Sequence, residues 1–319
     1  MDFPGTRFSR GTPRLSRRAF LLGSAQLVAG TAAFLLIRQG ADAATVSVKD
    51  HGAAGDGVQN DAPEIQKAID KAPLGATVHF PAGTYALYDA LYPRSGVNIE
   101  FAPGAKVIQR GVQHIFVFRN VSNIVTRNLR MRHEGSGTIA NPMLWDGASH
   151  LTHYDTTIER TDAWCGYLKG GSHHITIDGY YVLTANAKTD NIDDGIDFVD
   201  CHDITLRKFD IKTNDDAIAF HSWGGGVYNV HIENGYVQSR TSGGVAFGNA
   251  ISATIRDCTI KNVVARDTRV PVYFKGTEAS NTGEVYNISF EDISIFDNIG
   301  RTHSGVFFHT VSARAGKAH

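Results

Sequence analysis

The feature that most constrains this chain is a short motif that keeps returning: an apolar-polar-apolar triplet, polar residues, a second apolar run and a glycine. The triplets are Val78-His79-Phe80, Val97-Asn98-Ile99, Ile124-Val125-Thr126, Ile175-Thr176-Ile177, Ile204-Thr205-Leu206, Val230-His231-Ile232, Ala253-Thr254-Ile255 and Ile288-Ser289-Phe290. From Ile175 onward their first residues lie 29, 26, 23 and 35 apart. Alternation with period two is a strand signal, and its return every ~20–35 residues is a solenoid signal. Helical solenoids need long 3.6-period segments, which the chain lacks. The expected fold is therefore all-β: one parallel β-helix of roughly eight to ten coils, stacked at the ~4.8 Å spacing of adjacent strands. Its open N-terminal end needs a cover. The segment with Asp61 as N-cap, Pro63 in the first turn, Glu64 as capping-box partner and an Ile65, Ala68, Ile69 stripe predicts a short capping helix there. The tail Ser312-Ala313-Arg314-Ala315-Gly316-Lys317 carries no cap signal.

Composition agrees with a large core: 42% of the 319 residues are apolar and 20% charged, which excludes disorder, collagen and coiled coil. The net charge of -1 conceals an asymmetry, because six of the 31 basic residues and only two of the 32 acids fall in residues 1–43. There a basic stretch ends in Ser16-Arg17-Arg18-Ala19-Phe20-Leu21, an apolar run extends from Phe20 to Ile37, and Ala41-Asp42-Ala43 offers small residues for cleavage. This resembles a bacterial twin-arginine signal. It implies passage through the twin-arginine export machinery, a mature chain over residues 44–319, and a periplasmic or secreted location. The remainder is weakly acidic, with no electrostatic ground for nucleic acid or anionic lipid. No other stretch is apolar enough to cross a membrane once the leader is cleaved, and a monomer is expected. Cys165, Cys201 and Cys258 form neither a disulfide scaffold nor a zinc pattern, and read as buried free thiols.

The chemistry-bearing residues cluster late. Asp194 and Asp215 lie 21 residues apart, about one coil, so a β-helix stacks them on one face with Asp216 beside them. The next coils bring Ser242-Gly243-Gly244 and Tyr273-Phe274-Lys275 toward the same column. Crowded carboxylates repel, which raises the pKa of at least one, as a general acid near neutral pH requires. An inverting glycosidase needs its carboxyls ~6.5–9.5 Å apart, within reach of coil spacing plus side-chain offset. Asp190-Asn191-Ile192-Asp193-Asp194-Gly195 fails a calcium-loop pattern at Ile192, so no metal is expected. The pair His173-His174 and the spacing His150/His153 read as loop histidines.

Val48-Lys49-Asp50-His51-Gly52-Ala53-Ala54-Gly55-Asp56-Gly57, then Asn60-Asp61 and Phe80-Pro81-Ala82-Gly83-Thr84-Tyr85, resembles the opening of pectin-degrading enzymes with a right-handed, pectin-lyase-like β-helix. Asp194-Gly195-Ile196-Asp197 and Asn214-Asp215-Asp216 resemble two motifs of glycoside hydrolase family 28, the polygalacturonases, over roughly residues 46 to 275. The resemblance implies Asp215 as general acid, Asp194 and Asp216 as holders of the attacking water, and no cofactor. It implies hydrolysis with inversion of an acidic polysaccharide such as pectin. Three positions depart from that family: Ser242-Gly243-Gly244 lacks its histidine, Tyr273-Phe274-Lys275 retains only the lysine of its cationic pair, and Ile192 opens the first motif. Tyr273 and Lys275 remain able to hold a sugar and its carboxylate. His221 stands where an imidazole could help, and Trp223 where an indole could serve as a sugar platform. Two alternatives follow from the departures: a lyase using Lys275 as base, with calcium, or a glycan-binding β-helix without catalysis.

Overall fold

The computed structural model describes residues 44–134, 140–161, 163–184, 193–276, 282–296 and 306–310, the last as backbone only. The expected leader over residues 1–43, Ile192, and the tail beyond residue 310 lie outside the described residues. The chain from residue 44 onward winds into an all-β parallel solenoid of about 8 turns. Each central coil contributes one long and one short strand. The long ones, including His173–Leu183, His202–Thr213, Val227–Ser239, Ile255–Arg266 and Val285–Phe296, stack in sequence order. The short ones, including Gly166–Lys169, Ile196–Val199, Ile218–Ser222, Gly243–Ile251 and Val270–Gly276, belong to an eight-stranded parallel sheet.

The long strands turn two corners, and at each corner a residue takes left-handed backbone angles. One column runs Asn123, His150, His174, Asp203, Asn229, Asp257 and Asn287; the other runs Asn128, Asp155, Gly179, Lys208, Asn234, Asn262 and Asp292. Asn, Asp and Gly dominate because their short polar or absent side chains tolerate this conformation best. Neighbours in a column also bond one another: Asn262 Nδ2 donates to Asn234 Oδ1 at 2.8 Å, and Asn229 to Asp203. Many of the chain's polar residues thus serve corners, not chemistry.

Inside, side chains stack coil upon coil. Phe198, Phe220, Phe247 and Phe274 form a file with ring centroids 5.2, 4.6 and 4.8 Å apart, all on the inner face of the short-strand sheet. Each fully buried ring of this kind contributes roughly 1.5–3 kcal/mol of transfer free energy. The register corrects one expected triplet. Val230 pairs with Cys258, not Ala253, and Cys258 pairs with Ile288, so the inner column runs Ile175, Ile204, Val230, Cys258, Ile288 with steps of 29, 26, 28 and 30. The irregular 23 and 35 arose because a cysteine stands where an aliphatic was sought. A further coil, Leu151-Thr152-His153, escaped the pattern because its inward residue is histidine. Trp145 Nε1 donates to His153 Nε2 at 2.9 Å, and Thr126 Oγ1 lies 2.7 Å from Nδ1. Complete burial pushes His153 down to about 3, so it is a neutral core residue.

The helix forms at Ala62–Lys71, with Ile65, Ala68 and Ile69 buried in the main core, near the strand that begins the stack. Its capping differs from the expected box. Asp61 occupies the N-cap without a side-chain cap bond; its carboxylate accepts from Ala54 N at 2.6 Å and Gly55 N at 3.1 Å, tying down the glycine-rich opening. Asn60 Oδ1 accepts from Ala62 N at 3.2 Å instead. All three cysteines are free and buried. Among the described residues no helix is long and apolar enough to cross a membrane.

Candidate active site

Asp194, Asp215 and Asp216 converge on the outer side of the short-strand sheet, each with a carboxylate oxygen within 4.8 Å of the others. The convergence is built by register. Ile196 pairs with Ile218 and Ile218 with Val245, so one column carries Asp194, Asp216 and Gly243. Asp216, not Asp215, is therefore the neighbour of Asp194. Asp216 N donates to Asp194 Oδ1 at 2.9 Å, and Gly243 N to Asp216 Oδ1 at 2.7 Å. Two glycines make the closeness feasible: a Cβ on Gly195 would lie 2.3 Å from Ala217 O, and one on Gly243 would lie 2.9 Å from Asp216 Oδ1.

Asp215 is held through its backbone, with its side chain the most open of the three. Its carbonyl accepts from Ser239 Oγ at 2.6 Å and Thr213 Oγ1 at 2.9 Å. The preceding Asn214 is clamped to Asp193 Oδ2 through its backbone N at 3.2 Å and its Nδ2 at 3.1 Å. These bonds fix the loop while leaving the Asp215 side chain partly exposed.

Tyr273-Phe274-Lys275 does not share the column of Ser242-Gly243-Gly244 as the spacing implied. Tyr273 pairs with Ala246 and Phe274 with Phe247, so Lys275 lies further along the strand and reaches back. Its ammonium donates to Asp216 Oδ2 and, at 2.9 Å, to Ser242 Oγ, while resting 5.1 Å from the centre of the Tyr273 ring. Ala219 and Ala246, the small residues between Asp197 and Tyr273 on the outer face, leave room for this reach.

Electrostatics separate the carboxyls. Burial, then repulsion from Asp197, Asp216 and Asp215, pushes Asp194 well above the carboxylate range, against the pull of Lys275. Burial and Asp216 raise Asp215 to about 6, with Lys275 and a hydrogen bond from Ser242 opposing. Lys275 is driven down by burial, but Asp216 more than compensates, leaving it raised and charged. The ion pair with Lys275 thus supplies the positive charge that a cation would otherwise bring to the trio.

His221 and Trp223 sit one step away from the trio. His221 Nε2 is 3.5 Å from Asp197 Oδ1, and its ring lies parallel to Trp164 at 6.5 Å. Trp223 is exposed and meets Tyr167 edge-on at 6.1 Å. Sequence reasoning missed two residues of these surroundings, Trp164 and Tyr167, and named Asp197 and Ser242 without a role. Asp197 was quoted within its motif, yet only the structure shows it fully buried against Asp194 and pushed up by burial. Tyr167 was findable by alternation, because Gly166-Tyr167-Leu168-Lys169 buries Leu168 inward and turns Tyr167 and Lys169 out.

A parallel β-solenoid of this kind, with one long and one short strand per coil, is the pectate-lyase-like class of fold. The chain belongs to the family described as rhamnogalacturonase A/epimerase, pectate lyase-like, whose model matches residues 45–265. Its solenoid is similar to the exopolygalacturonase of Thermotoga maritima, with a TM-score of 0.65 at 15% identity, covering 83% of this chain and 78% of that one. It is also similar to PfbA, a surface adhesin of Streptococcus pneumoniae, with a TM-score of 0.61 at 15% identity, covering 83% and 82%. In sequence it is 29% identical over 144 residues to a putative galacturan 1,4-alpha-galacturonidase A of Aspergillus niger, covering 43% of this chain and 31% of that protein. The chain spans 11% and 31% of the length of the curated relatives it matches.

Proposed function

We propose that the protein is an exported glycoside hydrolase that cleaves a uronate-containing polysaccharide such as pectin. The observation that carries this reading is the convergence of Asp194, Asp215 and Asp216 with Lys275 in one outer groove. Asp215, open to the groove and raised to about 6, serves as general acid and protonates the departing glycosidic oxygen. Asp216, balanced by the Lys275 ammonium, accepts a proton from a water that Asp194 helps to hold. Lys275 and Tyr273 edge the position of the sugar under attack. Inversion is part of the proposal on the resemblance to glycoside hydrolase family 28 alone: the three carboxylates meet within 4.8 Å, closer than the ~6.5–9.5 Å of inverting pairs, so the stereochemistry is read from the product. Export through the twin-arginine route is proposed on the leader pattern over residues 1–43.

The test is product analysis on polygalacturonate and rhamnogalacturonan. The proposal expects saturated reducing ends with inverted anomeric configuration in the first product, seen by proton NMR. Unsaturated ends absorbing in the ultraviolet would instead mark β-elimination. That lyase reading is disfavoured by Lys275, whose ammonium is committed to Asp216 and Ser242 and is raised in pKa, the opposite of what a proton-abstracting base needs. A second reading, glycan binding without turnover, is favoured by the fold likeness to a surface adhesin and by Ser242-Gly243-Gly244, where the hydrolase family has a histidine. It predicts saturable binding of the same polymers with no product after prolonged incubation.

A further inference from the structure

Beside the trio, from the coil of Gly166–Lys169 to the coil of Ile218–Ser222, lies a group of rings and charges that the proposed chemistry does not use. Trp223 is 50% exposed, in contrast to the fully buried Trp145. An indole left in solvent on a glycine-rich loop would ordinarily be mobile, yet this loop is fastened. Asp200 Oδ1 accepts from the backbone N–H of Trp223 at 2.9 Å, Gly224 at 3.3 Å and Gly226 at 3.1 Å. Gly225 is needed for the same closure, since a Cβ there would lie 3.0 Å from Asp200 Cβ. The exposed indole is thus held in one place before any ligand arrives, which lowers the ordering cost of binding.

Trp223 is backed by Tyr167, at 6.1 Å and edge-on, and Tyr167 in turn by Trp164 at 5.1 Å. The ammonium of Lys169 hangs 5.4 Å from the centre of the Tyr167 ring. Asp146 lies 3.2 Å from Arg119 Nε and 3.8 Å from that ammonium, so its close partner is Arg119 and Lys169 is held only loosely. An exposed indole with a loosely held ammonium nearby is complementary to a pyranose ring that carries a carboxylate. Tyr167 pairs directly with Asp197, three residues beyond Asp194, so the platform is one coil from the trio.

We propose that Trp223, backed by Tyr167, and Lys169 form a second sugar position beside the aspartates that binds a uronate of the same polysaccharide chain. Trp223 stacks on the ring's apolar face, and Lys169 pairs with its carboxylate. This inference rests on the glycan-cleaving reading for the identity of the polymer, but its test reads binding and not turnover.

The experiment is calorimetric titration of the Asp215→Asn protein with trigalacturonate, its methyl ester and maltotriose as neutral control. The expected result is tighter binding of the free acid than of the ester. Adding Lys169→Gln narrows the acid-to-ester gap by roughly three- to tenfold and leaves the ester unchanged. Adding Trp223→Ala weakens acid and ester alike by about three- to tenfold. Circular dichroism confirms that each variant retains its strand signal. An unchanged acid-to-ester ratio in Lys169→Gln, unchanged affinity in Trp223→Ala, or trigalacturonate binding no tighter than maltotriose would each overturn the proposal. If binding behaves as expected while the native protein cleaves nothing, the hydrolase reading fails and the sugar position stands.

Discussion

Replacing Lys275 by Met tests how the site is held together. Lys275 and Asp216 are 6% and 3% exposed and form a contact ion pair. Unit charges about 3 Å apart attract by roughly 5–6 kcal/mol at an effective dielectric constant near 20. Met preserves most of the stem's volume, so the loss is mainly electrostatic: a buried Asp216 carboxylate without its partner, which costs about 3–5 kcal/mol. For a chain of this size each kcal/mol moves Tm by about 2–4 °C, so Lys275→Met should lower Tm by roughly 6–20 °C at pH 7.5. Adding Asp216→Asn removes the stranded charge and should restore most of that loss, which denaturant titration of the four proteins in a double-mutant cycle would measure. A Tm within about 2 °C of the native protein for the single variant, or a double variant no more stable than the single one, would refute the reasoning.

Other outcomes follow from the same arrangement. Asp215 binds its proton more tightly in the fold than when unfolded, so its own contribution to stability falls as pH rises from about 4 to about 6 and stays lower above; Asp215→Asn should gain about 1–3 kcal/mol at pH 7 and nothing at pH 3.5 relative to the native protein in urea titrations. Because the acid must carry its proton, activity should fall above about pH 6, and losing the Lys275 charge should shift that limb upward in a pH–rate profile. His153 is neutral in the core and charges only on unfolding, so its own contribution to stability declines as pH drops from 6.5 toward 3. His153→Phe should abolish that decline, measured by Tm against pH, while costing about 1–3 kcal/mol at pH 7 for the unpaired Trp145 and Thr126 groups. If residues 1–43 direct twin-arginine export, changing Arg17 and Arg18 to Lys should retain the precursor in the cytoplasm on fractionation; undiminished export would sink that part of the proposal.

The fold was legible because a solenoid repeats its rule: one inward aliphatic column, written again every coil, survives substitutions at single coils. It blurred where the inward residue was not aliphatic. Cys258 packs like a small hydrophobe and His153 is neutralised by burial, and neither shows as apolar in a pattern search. The aspartate trio was legible through spacing, but its pairing was not, since a difference of 21 or 22 residues cannot choose between Asp215 and Asp216 until strand register is known. Lys275 was identified with its column misplaced, because a long side chain can serve a residue several positions away. The contacts of Asp197, Ser242 and Trp164 were out of reach for a related reason. Their surroundings come from neighbouring coils, and alternation reports only inward or outward, never what stands opposite.

The central claim is that the Asp194, Asp215 and Asp216 groove cleaves glycosidic bonds. The most direct measurement is the rate of reducing-end release from polygalacturonate by the native chain and by Asp215→Asn at pH 5.5. Release by the native protein and a loss of about 100-fold or more in the variant are predicted, the contribution of a positioned general acid. Release that survives within a few fold in Asp215→Asn would contradict the account.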